Sequence, residues 1–191
     1  MEFMDWTEDG LRAVGFKGFV SLADAPAEVI PTGPGVYVVL RYTHAPPEFS
    51  ELSQAGHIKG KDPTVDGPAL RTAWVTGASV LYIGKAAAGN SGRRGLRRRL
   101  TEYRRHGRGE PVSHWGGRYV WQLADCAGLL AAWRTTDLDE DPESLESGMI
   151  AQFVADYGAR PFANRKLGTR TGPVPGPPEA PGLDQSRRRT A

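Results

Sequence analysis

The sequence predicts an α+β domain. Three observations carry that expectation. Residues 36–40 and 80–83 are short β-branched, apolar runs bounded by glycine. Residues 96–105 place Leu96, Leu100 and Tyr103 at i, i+4 and i+7, one face of a helix. Asp141-Pro142-Glu143 is a helix start, with an N-cap acid, a proline at the first position and an acid in the first turn.

The elements follow in chain order. Pro31-Thr32-Gly33-Pro34-Gly35 is a turn that launches the first strand, 36–40. Residues 43–72 scatter proline, glycine and charge with weak periodicity, and are expected to form a long loop or insertion. The second strand, 80–83, ends at Gly84. After the helix at 96–105, residues 119–123 and 129–133 are expected as two more strands joined as a hairpin, the second also compatible with helix. The late helix runs from Pro142 to Tyr157 and stops at Gly158, a natural C-cap. Residues 1–30 are taken as an N-terminal extension and 31–170 as the domain. Residues 171–191, rich in proline and glycine, are expected to be a disordered tail.

Composition narrows the function classes. At 191 residues the chain can bury a core and reads as one domain with a tail. The single cysteine, Cys126, excludes an internal disulfide and a multi-cysteine zinc site. Apolar runs are far too short to span a membrane, and the acidic opening MEFMDWTEDG does not read as a secretory signal, so a cytoplasmic location is expected. The histidines, His44, His57, His106 and His114, lack zinc-hydrolase spacing, and Gly84-Lys85 lacks the rest of a phosphate-binding loop. Charge is polarised. Residues 85–108 hold nine basic residues and one acid, whereas 137–146 hold six acids and no base. A solvated helix accounts for such a basic run, and so does attraction to an anionic partner.

Two polar residues break the helical patterns. On the late helix Leu145, Met149, Ile150, Phe153 and Tyr157 form the apolar stripe, and Glu146 falls inside it at 100° per residue. A carboxylate aimed at a core requires a partner or a metal. On the earlier helix Arg99 lies at the edge of the apolar face, while Arg97, Arg98 and Arg105 point elsewhere. Glu146 and Arg99 either pair with each other or serve a site. In the second case the acid holds a hard cation and the arginine neutralises phosphate charge.

With these residues in place the chain resembles the GIY-YIG nucleases. Gly35-Val36-Tyr37 and Tyr82-Ile83-Gly84 resemble the two motif strands. Leu96-Arg97-Arg98-Arg99-Leu100-Thr101-Glu102-Tyr103 is similar to the Leu-x-x-Arg-Leu-x-x-Tyr helix of the excinuclease nuclease domain. Leu145-Glu146-Ser147-Gly148-Met149-Ile150 and Pro161-Phe162-Ala163-Asn164 resemble the family's glutamate helix and closing asparagine. The resemblance covers about residues 31–167. The family joins its motif strands by a short hairpin, whereas Tyr37 and Tyr82 lie 45 positions apart here, so an insertion must loop out. The loop before the arginine helix is also long.

The resemblance implies a small central antiparallel sheet flanked by helices. It further implies hydrolysis of DNA phosphodiesters with one divalent cation, Mg²⁺ or Mn²⁺, held by Glu146. Tyr37, Tyr82, Lys85, Arg99, Glu146 and Asn164 would form the catalytic set. Arg99 would contact the phosphate, and Tyr37 or Tyr82 would position and deprotonate water, with Lys85 close to the same phosphate. Arg97, Arg98, Tyr103, Arg104 and Arg105 would face nucleic acid. The alternative is a non-catalytic nucleic-acid-binding module on the same fold.

Overall fold

The computed structural model describes residues 5–43, 45–89, 94–112, 114–137 and 139–165. The expected tail at 171–191 lies outside the described residues. The elements are α1 (Glu8–Ala13), β1 (Lys17–Ser21), β2 (Gly35–Leu40), α2 (Gly67–Ala73), β3 (Val80–Ala86), α3 (Leu96–Gly107), β4 (Leu130–Thr135) and α4 (Pro142–Tyr157). The four strands form one antiparallel sheet in the order β1-β4-β2-β3. The α+β class and the helix-flanked antiparallel sheet are therefore as the sequence implies. Among the described residues no helix is long and apolar enough to cross a membrane.

Alternation along the strands divides the core between two faces. Tyr37, Val39, Tyr82, Ala131 and Trp133 pack with Leu96, Leu100 and Tyr103 of α3. Val36, Val38, Leu40, Val80 and Ile83 pack with Leu11 of α1 and with Met149, Ile150 and Phe153 of α4. α3 and α4 thus cover opposite faces, and β3 is the edge strand between them.

Local chemistry sets both helix starts. Asp141 accepts the Ser144 amide at 2.9 Å, Pro142 opens α4, and Gly158 closes it at φ +70°. α3 begins at Gly95, which has no capping side chain. The carbonyls of Gly33 and Pro31 take the amides of Leu96 and Arg97 instead, at 2.9 and 2.8 Å. The turn before β2 therefore caps α3 and sets where Arg99 stands.

Several sequence expectations are corrected. Residues 119–123 form no strand and no hairpin with β4; Arg118–Gln122 is a 3₁₀ helix. Gly117 turns the chain at φ +77°, and Tyr119 to Gln122 are buried in succession rather than alternately. Gln122 explains the preference, because its side chain takes the Val65 amide and donates to the Ser50 and Val65 carbonyls. The 43–72 insertion is not all loop. Asp66 caps α2 by accepting the Ala69 amide, and Leu70 and Ala73 are buried. β3 does not stop at Gly84 but runs to Ala86. Residues 8–21 are integral to the domain, since α1 packs under the sheet and β1 pairs with β4.

The outer edge of β3 is closed by the turn at 161–164. Ala163 donates its amide to the Leu81 carbonyl at 2.8 Å. The buried Asn164 side chain accepts from the Ile83 amide at 2.9 Å and donates to the Ile83 carbonyl at 2.7 Å. One amide thus acts as a missing strand. Asn164→Ala strips both partners from a buried peptide unit and is expected to cost about 2–4 kcal/mol. Urea denaturation would show the loss, and hydrogen exchange should locate it at the Ile83 amide.

Candidate active site

Tyr37 and Tyr82 project from β2 and β3 onto the α3 face. In the register Tyr37 opposes Gly84, and Val39 opposes Tyr82. The Tyr37 ring lies across β3 at Gly84, where a Cβ would meet the phenol carbon and oxygen at 2.5 and 2.6 Å. Gly84 is therefore a close-approach glycine inside a strand rather than a strand terminator. Tyr103 completes an aromatic triangle, its ring centroid 6.3 Å from Tyr37 and 5.6 Å from Tyr82.

Burial raises the pKa of all three phenols, that of Tyr37 and Tyr103 well above the ordinary value. Arg99 reaches this cluster from α3. Burial works against its charge, but the Tyr37 and Tyr82 oxygens more than offset that and raise its pKa. Its carboxylate neighbour is Glu102, at 3.8 Å.

Glu146 approaches from the opposite layer. It turns inward on α4, as its position in the apolar stripe requires, and its side chain is 12% exposed. Burial raises its pKa, and Lys85 only partly opposes this. The Lys85 ammonium lies 3.5 Å from Glu146 and 2.7 Å from Glu143. Of the two alternatives left open for Glu146 and Arg99, direct pairing is not what forms: Glu146 pairs with Lys85, and Arg99 lies near Glu102. Lys85 lies within β3 rather than just after the strand, and it is the counter-ion of Glu146 and Glu143. Arg99 and Glu146 nonetheless both act electrostatically on Tyr37 and on Tyr82.

The other predicted contacts divide. Asn164 has both ends of its amide committed to Ile83, so it positions β3 and is not free to touch a ligand. Tyr103 is fully buried and donates to the Gly117 carbonyl at 2.7 Å, so it cannot face nucleic acid. Arg104 bonds the Ala25 carbonyl, which ties α3 to the N-terminal segment, and is corrected likewise. Arg97 donates to the carbonyls of Ile30 and Glu28. Arg98 pairs with Glu102 and Arg105 with Glu110, both at the surface.

Sequence reasoning missed two residues here. Arg94 joins Lys85, Arg98, Arg99 and Glu102 around a cavity of about 220 Å³. A second cavity of about 400 Å³ continues along α3 past Arg94, Arg98 and Glu102 to Arg97 and Arg105. Arg94 carried only the weak signal of a basic residue near a glycine-rich loop. His114 is the other. It is buried, and its Nε2 lies 3.4 Å from the Tyr37 hydroxyl. Its place among the histidines carries no spacing signal for this contact.

The donor set suits one class of cation. Among the described residues no group of three or more His, Cys, Asp or Glu side chains is placed to hold a metal. A single inward carboxylate matches the hard-ion style, in which water and phosphate complete the shell. No protein-family model, curated protein or solved structure matches the chain.

Gly84→Ala is expected to lower stability by about 1–3 kcal/mol, the usual range for overpacking, because the strand and the Tyr37 ring cannot both keep their places. The urea midpoint checks it. A second expectation concerns pH. His106 is fully buried, and burial lowers its pKa despite an opposing contribution from the Glu110 backbone. The unfolded chain therefore binds more protons as pH falls below about 6.5, and stability present above that pH is lost on acidification. His106→Leu should flatten this slope, by at most about 1.4 kcal/mol per pH unit. Urea midpoints at several pH values between neutral and mildly acid provide the comparison.

Proposed function

We propose that this chain is a GIY-YIG-type endonuclease that hydrolyses DNA phosphodiester bonds with one divalent cation. The observation that carries the reading is the convergence of Arg99 and Glu146. They come from helices on opposite faces of the sheet, and Lys85 joins them: it lies 3.5 Å from Glu146 and lines one cavity with Arg99, while both charges bear on the buried Tyr37 and Tyr82. A cationic donor and an inward carboxylate around water-positioning hydroxyls are what phosphodiester hydrolysis needs.

Glu146 would hold Mg²⁺ or Mn²⁺. When bound, the ion supplies positive charge for the phosphate and the leaving oxygen. The protein's own groups do the rest. Arg99 offers a fork of N–H donors to the phosphate oxygens. Tyr37 and Tyr82 are protonated phenols, since burial raises both pKa values, and they orient the attacking water by hydrogen bonds. Burial raises the Glu146 pKa, and the Lys85 charge opposes that rise and so favours the ionised carboxylate. Arg94 and Arg98 are exposed beside the cavity and would add sequence-independent phosphate affinity that weakens with salt.

Purified protein is expected to nick supercoiled plasmid with Mg²⁺ or Mn²⁺ and not with EDTA. Glu146→Gln should reduce nicking by about 10²–10³-fold, the loss typical of a transition-state charge stabiliser. It should still bind DNA, and its urea midpoint should match or exceed that of wild type because a neutral amide replaces an inward carboxylate. Binding without cleavage by both proteins, on DNA and RNA alike, would favour the non-catalytic module.

A further inference from the structure

Behind Tyr37 stands a histidine that the proposed reaction does not use. The His114 ring stacks on Tyr103, with centroids 4.0 Å apart and planes 9° apart. Tyr103 is itself fixed by its hydrogen bond to Gly117. The imidazole plane is therefore set, and it directs Nε2 at the Tyr37 hydroxyl, 3.4 Å away. Nδ1 is buried with no hydrogen-bond partner among the described residues. The protein thus selects the His114 tautomer only through Nε2.

The Arg99 guanidinium also bears on the phenol oxygen, which in turn favours the positive arginine. A guanidinium carries five N–H donors and no acceptor. An oxygen facing it accepts, so the Tyr37 proton must point away. Tyr82 also turns its oxygen to Arg99. Two neighbours can take that proton, the Tyr82 oxygen and His114 Nε2; the fixed imidazole plane, with Nε2 3.4 Å from the hydroxyl, favours His114.

We infer that His114 is a positioning residue: as a neutral imidazole protonated at Nδ1, it holds the Tyr37 proton at Nε2 and turns the phenol lone pairs toward Arg99 and the attacking water. No proton passes to the ring. Burial and the nearby Arg99 both disfavour an imidazolium there and lower the His114 pKa well below its ordinary value. The arrangement makes Tyr37 a directed acceptor, which an isolated phenol rotor is not. This inference rests on the endonuclease reading for its kinetic consequence, but not for the hydrogen bond itself.

Two measurements on the full chain test it. The first compares His114→Phe and His114→Gln, each in wild-type and Tyr37→Phe backgrounds, by nicking kinetics with Mn²⁺. Phenylalanine keeps a ring to stack on Tyr103 but removes the acceptor; glutamine restores a polar group near the Nε2 position. In the wild-type background His114→Phe should lower kcat roughly tenfold or more with KM and urea midpoint unchanged. His114→Gln should recover much of that loss. In the Tyr37→Phe background His114→Phe should have no further effect. An equal loss in both backgrounds, or no loss in either, overturns the proposal.

The second is nitrogen-15 NMR of the histidine rings without substrate. It should show His114 Nε2 unprotonated and Nδ1 carrying hydrogen. The opposite tautomer overturns the proposal even if the enzyme cuts. Should wild type cut no nucleic acid, the endonuclease reading fails, and the NMR result still decides whether His114 holds the Tyr37 proton.

Discussion

Tyr37 can lie across β3 only because residue 84 has no side chain. Much of the site depends on that one contact. The bare backbone lets a fully buried phenol reach the sheet edge, where Tyr82 and Tyr103 pack against it. The same packing excludes water from the three rings and keeps the phenols protonated. Gly117 repeats the device one layer further out, since a Cβ there would collide with the Tyr103 hydroxyl. Small residues thus admit large aromatic ones, and the Tyr37 and Tyr82 oxygens favour the charged form of Arg99.

The edge position of β3 supplies the second half of the arrangement. A central strand would keep α3 and α4 apart across the sheet. At an edge, groups from both faces can approach one place: Lys85 pairs with Glu146 of α4 and lines a cavity with Arg99 of α3. An open edge is also a liability. Asn164 and Ala163 close it with three hydrogen bonds to Leu81 and Ile83. Lys85 balances the two acids of α4 at the same end of the strand. The asparagine and the lysine therefore build the platform on which the other polar groups meet.

What the sequence made legible was local. The α4 caps and the inward turn of Glu146 follow from residue type and a 100° period, and the structure has both. The apolar face of α3 was legible for the same reason. Strand β1 was not, because its five residues include Gly18 and Phe19 at positive φ and a bulge that breaks alternation. Residues 119–123 look like a strand because burial, rather than pleating, makes them apolar. The partners of the arginines were not legible either. Arg97, Arg104 and Arg108 spend their donors on backbone carbonyls of residues 23–30, which no charge count reveals. The basic run is thus partly a structural clamp, and Arg94, Arg98 and Arg99 are the members that line the cavity beside β3. His114 shows the same limit, since its meaning comes from a ring 77 positions away.

The central claim is that Glu146 and Arg99 serve one phosphate and one cation at the edge of β3. Anomalous diffraction from crystals of the full chain with Mn²⁺ and a short oligonucleotide tests it most directly. The account predicts a single Mn²⁺ peak against the Glu146 carboxylate, with a phosphate between it and Arg99. An unchanged Lys85–Glu146 pair, with Mn²⁺ bound instead at the acidic segment 137–141 or nowhere, would contradict it.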